Sequence, residues 1–151
     1  MHVTAKADYA IRAVVELALH EGQVLTRSRL ATGQGIPDKF LETILTELTR
    51  NGLLIARRGV RGGYLLGRPA DSISVADVLR AVDGPLAGVR GERPEDITYP
   101  DSSSALREVW IAVRASLRAV LETTTVADIA AQTLPAGVLS LLAEPGVWER
   151  R

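Results

Sequence analysis

Apolar residues at helical spacing open the chain: Ala7, Ala10, Ile11, Val14, Leu17 and Ala18 predict a first helix from about Thr4 to His20, ended by Gly22. Thr26 is placed to cap a short second helix carrying Leu30 and Ala31, which Gly33 and Gly35 stop. Pro37 suits the first turn of a third helix, in which Phe40, Leu41, Ile44, Leu45 and Leu48 form one stripe before Asn51-Gly52. Two short apolar runs follow, Leu53 to Ala56 and Tyr64 to Leu66. The glycine-rich stretch from Arg57 to Gly63 between them permits the positive φ angles of a hairpin or wing. Helix, turn, helix and then a basic β-hairpin is the order of a winged helix-turn-helix.

Beyond Pro69, Ser74 with Asp77 three residues on gives a capping signal for a helix bearing Val75, Val78, Leu79 and Val82. Gly84 to Pro100 lacks periodicity and reads as a loop. From about Ser103 to Thr124, Leu106, Trp110, Val113, Leu117 and Val120 step by four, three, four, three, a heptad-type seam widened by Val109 and Leu121. A helix of that length, about 30 Å, exposes more apolar surface than a small wing domain covers. A partner helix in a homodimer answers this, and folding back on the chain's own body is the alternative. Thr125 and Asp128 cap a last short helix, and Val138, Leu139, Leu141, Leu142 and Trp148 in the tail dock on the body or on a second subunit. The expected fold is mainly α with a small β-hairpin wing. Residues 1–83 form the winged helix-turn-helix, 84–102 a loop, and 103–151 the dimerisation helix and tail.

Composition narrows the chemistry. The 151 residues contain no cysteine, which removes disulfides, thiolate nucleophiles and cysteine-ligated clusters together. Only His2 and His20 remain as nitrogen ligands, so no metal site or cofactor is expected. No apolar run approaches the roughly 20 residues of a membrane span, and the first ten residues lack a signal-peptide core; a cytoplasmic protein away from membranes is expected. No Walker-type or dinucleotide glycine motif, HExxH or nucleophile elbow is present, so an enzyme is not expected.

The formal net charge is zero, but its distribution is uneven. Residues 1–70 hold ten Lys/Arg against six Asp/Glu, whereas residues 71–151 hold eight against twelve. Leu48 to Ala70 contains no acid, yet Arg50, Arg57, Arg58, Arg61 and Arg68 lie there. Counterion release from phosphates depends on charge at the contact and not on the whole molecule, so this stretch suits a polyanion. A solvated basic loop is the plainer alternative.

The runs KADYAIRAVVELAL, IPDKFLETILTELTRNGLL and RRGVRGGYLLGRPADSISVADVLRAVDG resemble the Rrf2 family of bacterial winged-helix transcription factors, most specifically from Ile36 to Gly84. The resemblance implies a third helix in the major groove of double-stranded DNA and a wing in the minor groove. It makes Lys39 and Thr43 the candidates for base edges or nearby phosphates. Asp38 is then a candidate helix cap, and Glu42 a support for Lys39 or a wing arginine. Arg57, Arg58 and Arg61 are wing candidates, with Gly62 allowing close backbone approach. Lys6, Tyr9 and Arg50 are phosphate candidates, although Tyr9 is equally read as a tyrosine at the core edge. Many members of that family hold an iron–sulfur cluster on three cysteines before the long helix. The corresponding positions here fall near Glu92 and Thr98 and on Ser104, with a histidine ligand falling on Arg107, so cluster sensing is expected to be absent. The expected protein is a homodimeric transcriptional regulator, a repressor by preference, with operator half-sites near one helical turn apart. A small-molecule or protein effector between loop and helices is left open. The alternative function is a winged-fold adaptor that modulates a partner protein without DNA.

Overall fold

The computed structural model describes residues 2–149. Helix α1 (Ala5–Leu19) is the centre of the body: α2 (Arg27–Gln34), α3 (Asp38–Arg50), α4 (Val75–Asp83) and α6 (Val126–Ala130) all pack on it. Its small Ala7, Ala10 and Ala13 are fully buried, which lets those helices approach closely around Val14 and Leu17. Thr4 starts α1 by accepting from the Ala7 N–H at 3.0 Å, and Thr26 caps α2 in the same way. Gly35 closes α2 at φ +61°. Pro37 stands just before α3, as its cap position and not inside the first turn. On α3, Leu41, Ile44, Leu45 and Leu48 are buried, but Phe40 at the edge of the expected stripe is exposed.

Strands β1 (Leu54–Arg57) and β2 (Gly63–Leu66) form the hairpin, antiparallel with Leu54 opposite Leu66 and Arg57 opposite Gly63. Leu25, ahead of α2, adds a bridge to this sheet by exchanging both backbone hydrogen bonds with Tyr64, at 2.8 and 2.9 Å. The wing is thereby fixed to the helix-turn-helix by backbone pairing as well as by packing. The architecture is a winged helix-turn-helix followed by a longer C-terminal helix.

The loop after α4 is pinned by buried Pro94 and Ile97, Pro94 opening a 3-10 turn over Pro94–Asp96. The helix expected from 103 to 124 is shorter. A 3-10 turn occupies Asp101–Ser103, and α5 spans Leu106–Leu121, about 24 Å at 1.5 Å per residue. The cause is local. Ser103 and Ser104 turn their hydroxyls back onto the Pro100 and Asp101 carbonyls, and Thr123 and Thr124 do the same to Ala119 and Val120.

After α5 the chain returns to the body. Val126 is fully buried, its N–H donates to the Ile73 carbonyl at 2.8 Å, and the Val75 N–H donates to Thr124 at 2.9 Å. A capping box sets α6, with Asp128 Oδ2 accepting from the Thr125 N–H at 2.8 Å and from its hydroxyl at 2.7 Å. These hydrogen bonds hold the Asp128 carboxyl below the usual aspartate range. A depressed folded-state pKa contributes stability that is present above the unfolded value and lost as pH falls through the folded one. Asp128→Ala is expected to cost about 1 kcal/mol in urea unfolding at neutral pH, with the gap to the parent closing below about pH 4. The last helix, α7 (Ala136–Leu142), follows Pro135; Leu139, Leu141 and Trp148 of the expected docking residues are exposed in the single chain.

Candidate nucleic-acid interface

The candidate basic residues separate by what they touch. Lys6 sits beside the acids that fold the body: its Nζ lies 3.1 Å from Glu47 and 3.9 Å from Asp83. Tyr9 is half-buried between α1 and α3, its ring 5.7 Å from that of Phe40 and the Arg12 guanidinium 5.6 Å from its centroid. That is the core-edge placement. Arg68 lies 3.5 Å from Asp77. In contrast, Lys39, Arg50, Arg57, Arg58 and Arg61 are exposed and make no ion pair among the described residues. Lys39 rests over the Phe40 ring at 5.3 Å, which holds its charge at the N-terminal end of α3 beside exposed Thr43.

Two of the three acids of α3, Asp38 and Glu42, share one ion-pair partner among the described residues, and it lies on α2. Arg27 Nε is 3.0 Å from Asp38 and Arg27 NH1 is 3.3 Å from Glu42. Asp38 is therefore no cap, and Glu42 serves neither Lys39 nor the wing. The single guanidinium offsets one of the two negative charges at the face that would meet phosphate, which lessens their repulsion, and it sets α2 against α3. Arg27 was not identified from the sequence. Its signal there was only position, one residue after the cap Thr26.

The base of α2 is set from α1. Glu16, 8% exposed, accepts from Gln34 Nε2 at 2.7 Å, while Arg12 donates to the Gln34 carbonyl at the helix end and lies 3.3 Å from Asp8. His20 lies 3.1 Å from Arg29, which ties the other end of α1 to α2.

The wing turn carries Arg58, Gly59, Val60 and Arg61, with Val60 fully exposed at the tip. Gly59 takes φ +105°, and the Gly62 N–H closes the turn on the Gly59 carbonyl at 2.9 Å. The glycines have a structural reason beyond approach to a duplex. A Cβ on Gly62 would lie 2.5 Å from the Arg57 carbonyl oxygen, and one on Gly63 would collide with the Leu25 carbonyl. Gly63→Ala should therefore break the Leu25–Tyr64 pairing. The expected loss is about 2 kcal/mol in urea unfolding, with weaker DNA binding because the wing is no longer held.

The apolar groove on α5 includes Val113, Leu117 and Val120 of the expected seam together with Val109 and Leu121, which widen it. No residue of α5 is buried in the single chain, and Val109, Val113, Leu117 and Val120 face an apolar groove floored by Ala112 and Ser116 and closed on one side by Leu141 of α7. Leu106 and Trp110 do not line this groove. The small Ala112 and Ser116, four residues apart, leave room for close approach of another helix.

The family resemblance raises an iron–sulfur cluster, and the residues present do not fit one. At the corresponding positions Ser104 donates its hydroxyl to Asp101, Arg107 donates to the Glu95 carbonyl at 3.1 Å, and Glu92 and Thr98 offer only hard oxygen. Among the described residues no three Asp, Glu or His side chains converge as metal ligands. No helix among them is long and apolar enough to cross a membrane.

Comparison with known proteins agrees with this geometry. The Rrf2 family profile, described as an iron-dependent transcriptional regulator, matches residues 3–132. Rv1287 of Mycobacterium tuberculosis, named as an HTH-type transcriptional regulator, is 50% identical over 142 residues, covering 93% of this chain and 88% of that protein. The HTH-type transcriptional regulator CymR of Bacillus subtilis is 31% identical over 88% of this chain and 92% of its own. The solved structure of CymR, the global cysteine regulator of that organism, superposes with a TM-score of 0.74 at 30% identity over 88% of this chain and 98% of that one. The structure of T. potens IscR gives 0.71 at 28% identity over 87% and 88%. With a family match across most of its length, and with an exposed basic wing and an exposed polar face on the third helix, the chain belongs to the Rrf2 family of transcriptional regulators.

Proposed function

We propose that the protein is a homodimeric, sequence-specific DNA-binding repressor of the cytoplasm that works without a cysteine-ligated cluster. Residues 1–83 read DNA, the loop 84–102 links the two parts, and 103–151 join the subunits. Lys39 and Thr43 enter the major groove from α3, Arg58 and Arg61 enter the flanking minor groove, and Arg50 and Arg57 contact phosphate. Occupancy of an operator overlapping a promoter would exclude polymerase. The observation that carries the reading is the set of five exposed basic side chains, on α3 and the wing, that have no carboxylate partner among the described residues. Among those residues Arg29, Arg90, Arg93 and Arg107 are also exposed and without an ion pair, and what sets these five apart is their grouping on α3 and the wing.

Salt dependence of duplex binding tests it. Affinity for genomic fragments selected by the protein should fall about a thousandfold or more between 50 and 200 mM salt, as for a protein making six or more phosphate contacts. A flat profile with negligible binding in dilute buffer would instead support the adaptor reading.

A further inference from the structure

Between α4, the loop after it and α5 lies an open cleft of about 520 Å3 into which four arginines project: Arg80 from α4, Arg93 from the loop, and Arg114 and Arg118 from successive turns of α5. They lie in the half of the chain that is acidic overall. Among the described residues two carboxylates form ion pairs with them, while Asp83 and Glu92 line the adjoining pocket beside Arg93 and Arg114. Glu95 is 2.6 Å from Arg114, and Glu122 is shared between Arg80 and Arg118, 2.9 Å from the latter. Arg93 has no ion pair among the described residues. Both glutamates are held below the usual carboxyl range, Glu95 chiefly by its hydrogen bond from Arg114 and Glu122 chiefly by that from Arg80. Four guanidiniums around one cleft repel each other, and the two paired carboxylates leave a surplus of two positive charges along its lining. Guanidinium forks match the paired oxygens of phosphate, sulfate and carboxylate, and the cleft wall at Leu86 supplies an apolar side for a short carbon skeleton. Its volume is that of a small-metabolite site.

We propose that this cleft binds a small metabolite carrying two negative charges on oxyanion groups, gripped by Arg93 and Arg114 with Arg80 and Arg118 behind them. The ligand would tie the seam helix α5 to α4, which packs against both α1 and α3. Binding at the cleft does not depend on DNA reading, so a direct titration of the protein alone separates the two.

The experiment is calorimetric titration of the full chain at fixed ionic strength in sodium chloride, with inorganic phosphate in one arm and succinate in the other. At least one probe is expected to bind once per chain with a dissociation constant of about 1 mM or tighter. Arg93→Gln, which breaks no ion pair of the fold, and Arg114→Gln should each weaken it about tenfold. Glu95→Gln, which frees Arg114, should tighten it, a change of sign that a merely structural role would not give. Arg58→Ala in the wing should leave it unchanged. Phosphate binding alone assigns a tetrahedral group, and succinate alone a dicarboxylate. Absence of binding by both probes, or binding lost with Arg58→Ala and kept with Arg93→Gln, overturns the proposal.

Discussion

Replacing Val113 and Leu117 together by glutamate should turn the protein into a monomer in sedimentation and weaken operator binding about 100-fold or more while leaving the winged domain folded. Both side chains line the apolar groove of α5, and no residue of that helix is buried in the single chain. The charges therefore enter no core of the protomer and cost its fold little. In a dimer they would face their own symmetry mates in a dry seam, where like charges repel and lose their water. The effect on DNA is large because a dimer engages its second half-site at the high effective concentration set by the first, an advantage of about 10² to 10⁴. Leu106→Glu is the internal contrast. Leu106 belongs to the heptad read from the sequence but not to the groove, so it should disturb association less. If the Val113/Leu117 variant stays dimeric, the seam has been misassigned.

Removing Arg58 and Arg61 together should reduce operator affinity about 100-fold or more, at ~1 to 3 kcal/mol for each contact. Both are exposed in the wing turn, without a carboxylate partner among the described residues, so alanine sacrifices no intramolecular ion pair. The slope of log affinity against log salt should become shallower by about one for each phosphate charge lost. Lys6→Ala should behave in the opposite manner. It leaves Glu47 without its cation near the α1–α3–α4 contact, although Asp83 keeps its hydrogen bond from the Thr4 hydroxyl, and so lowers the melting temperature while leaving the salt slope almost unchanged. Wild-type affinity in the arginine double variant would remove the wing from the interface.

Much of this arrangement is legible in the sequence because it is written within single elements. The Thr26 cap, the Ser74–Asp77 and Thr125–Asp128 capping boxes and the buried stripe of α3 all lie where residue spacing puts them. The charge gap from Leu48 to Ala70 likewise marks the wing and its approach. What spacing does not carry is which element meets which. The Arg27 clamp on Asp38 and Glu42 joins two helices, and buried Glu16 finds Gln34 eighteen residues away, so each acid read alone suggests an exposed face or a cap. The α5 seam shows the same boundary. Leu106 and Trp110 fit a heptad as well as Val109 does, and the approach of Leu141 from α7 picks the face that becomes a groove. Gly62 and Gly63 were legible as turn residues, but the carbonyls of Arg57 and Leu25 that exclude a side chain there belong to the tertiary fold.

Hydroxyl-radical footprinting on a selected operator tests most directly whether paired α3 helices and wings read one face of the duplex. The prediction is a two-fold symmetric pattern: two protected clusters whose centres are one helical turn, about 34 Å, or a whole multiple of it apart, each flanked by a minor-groove protection that disappears when Arg58 and Arg61 are alanine. A single asymmetric cluster, or flanking protections that persist without those arginines, would contradict it.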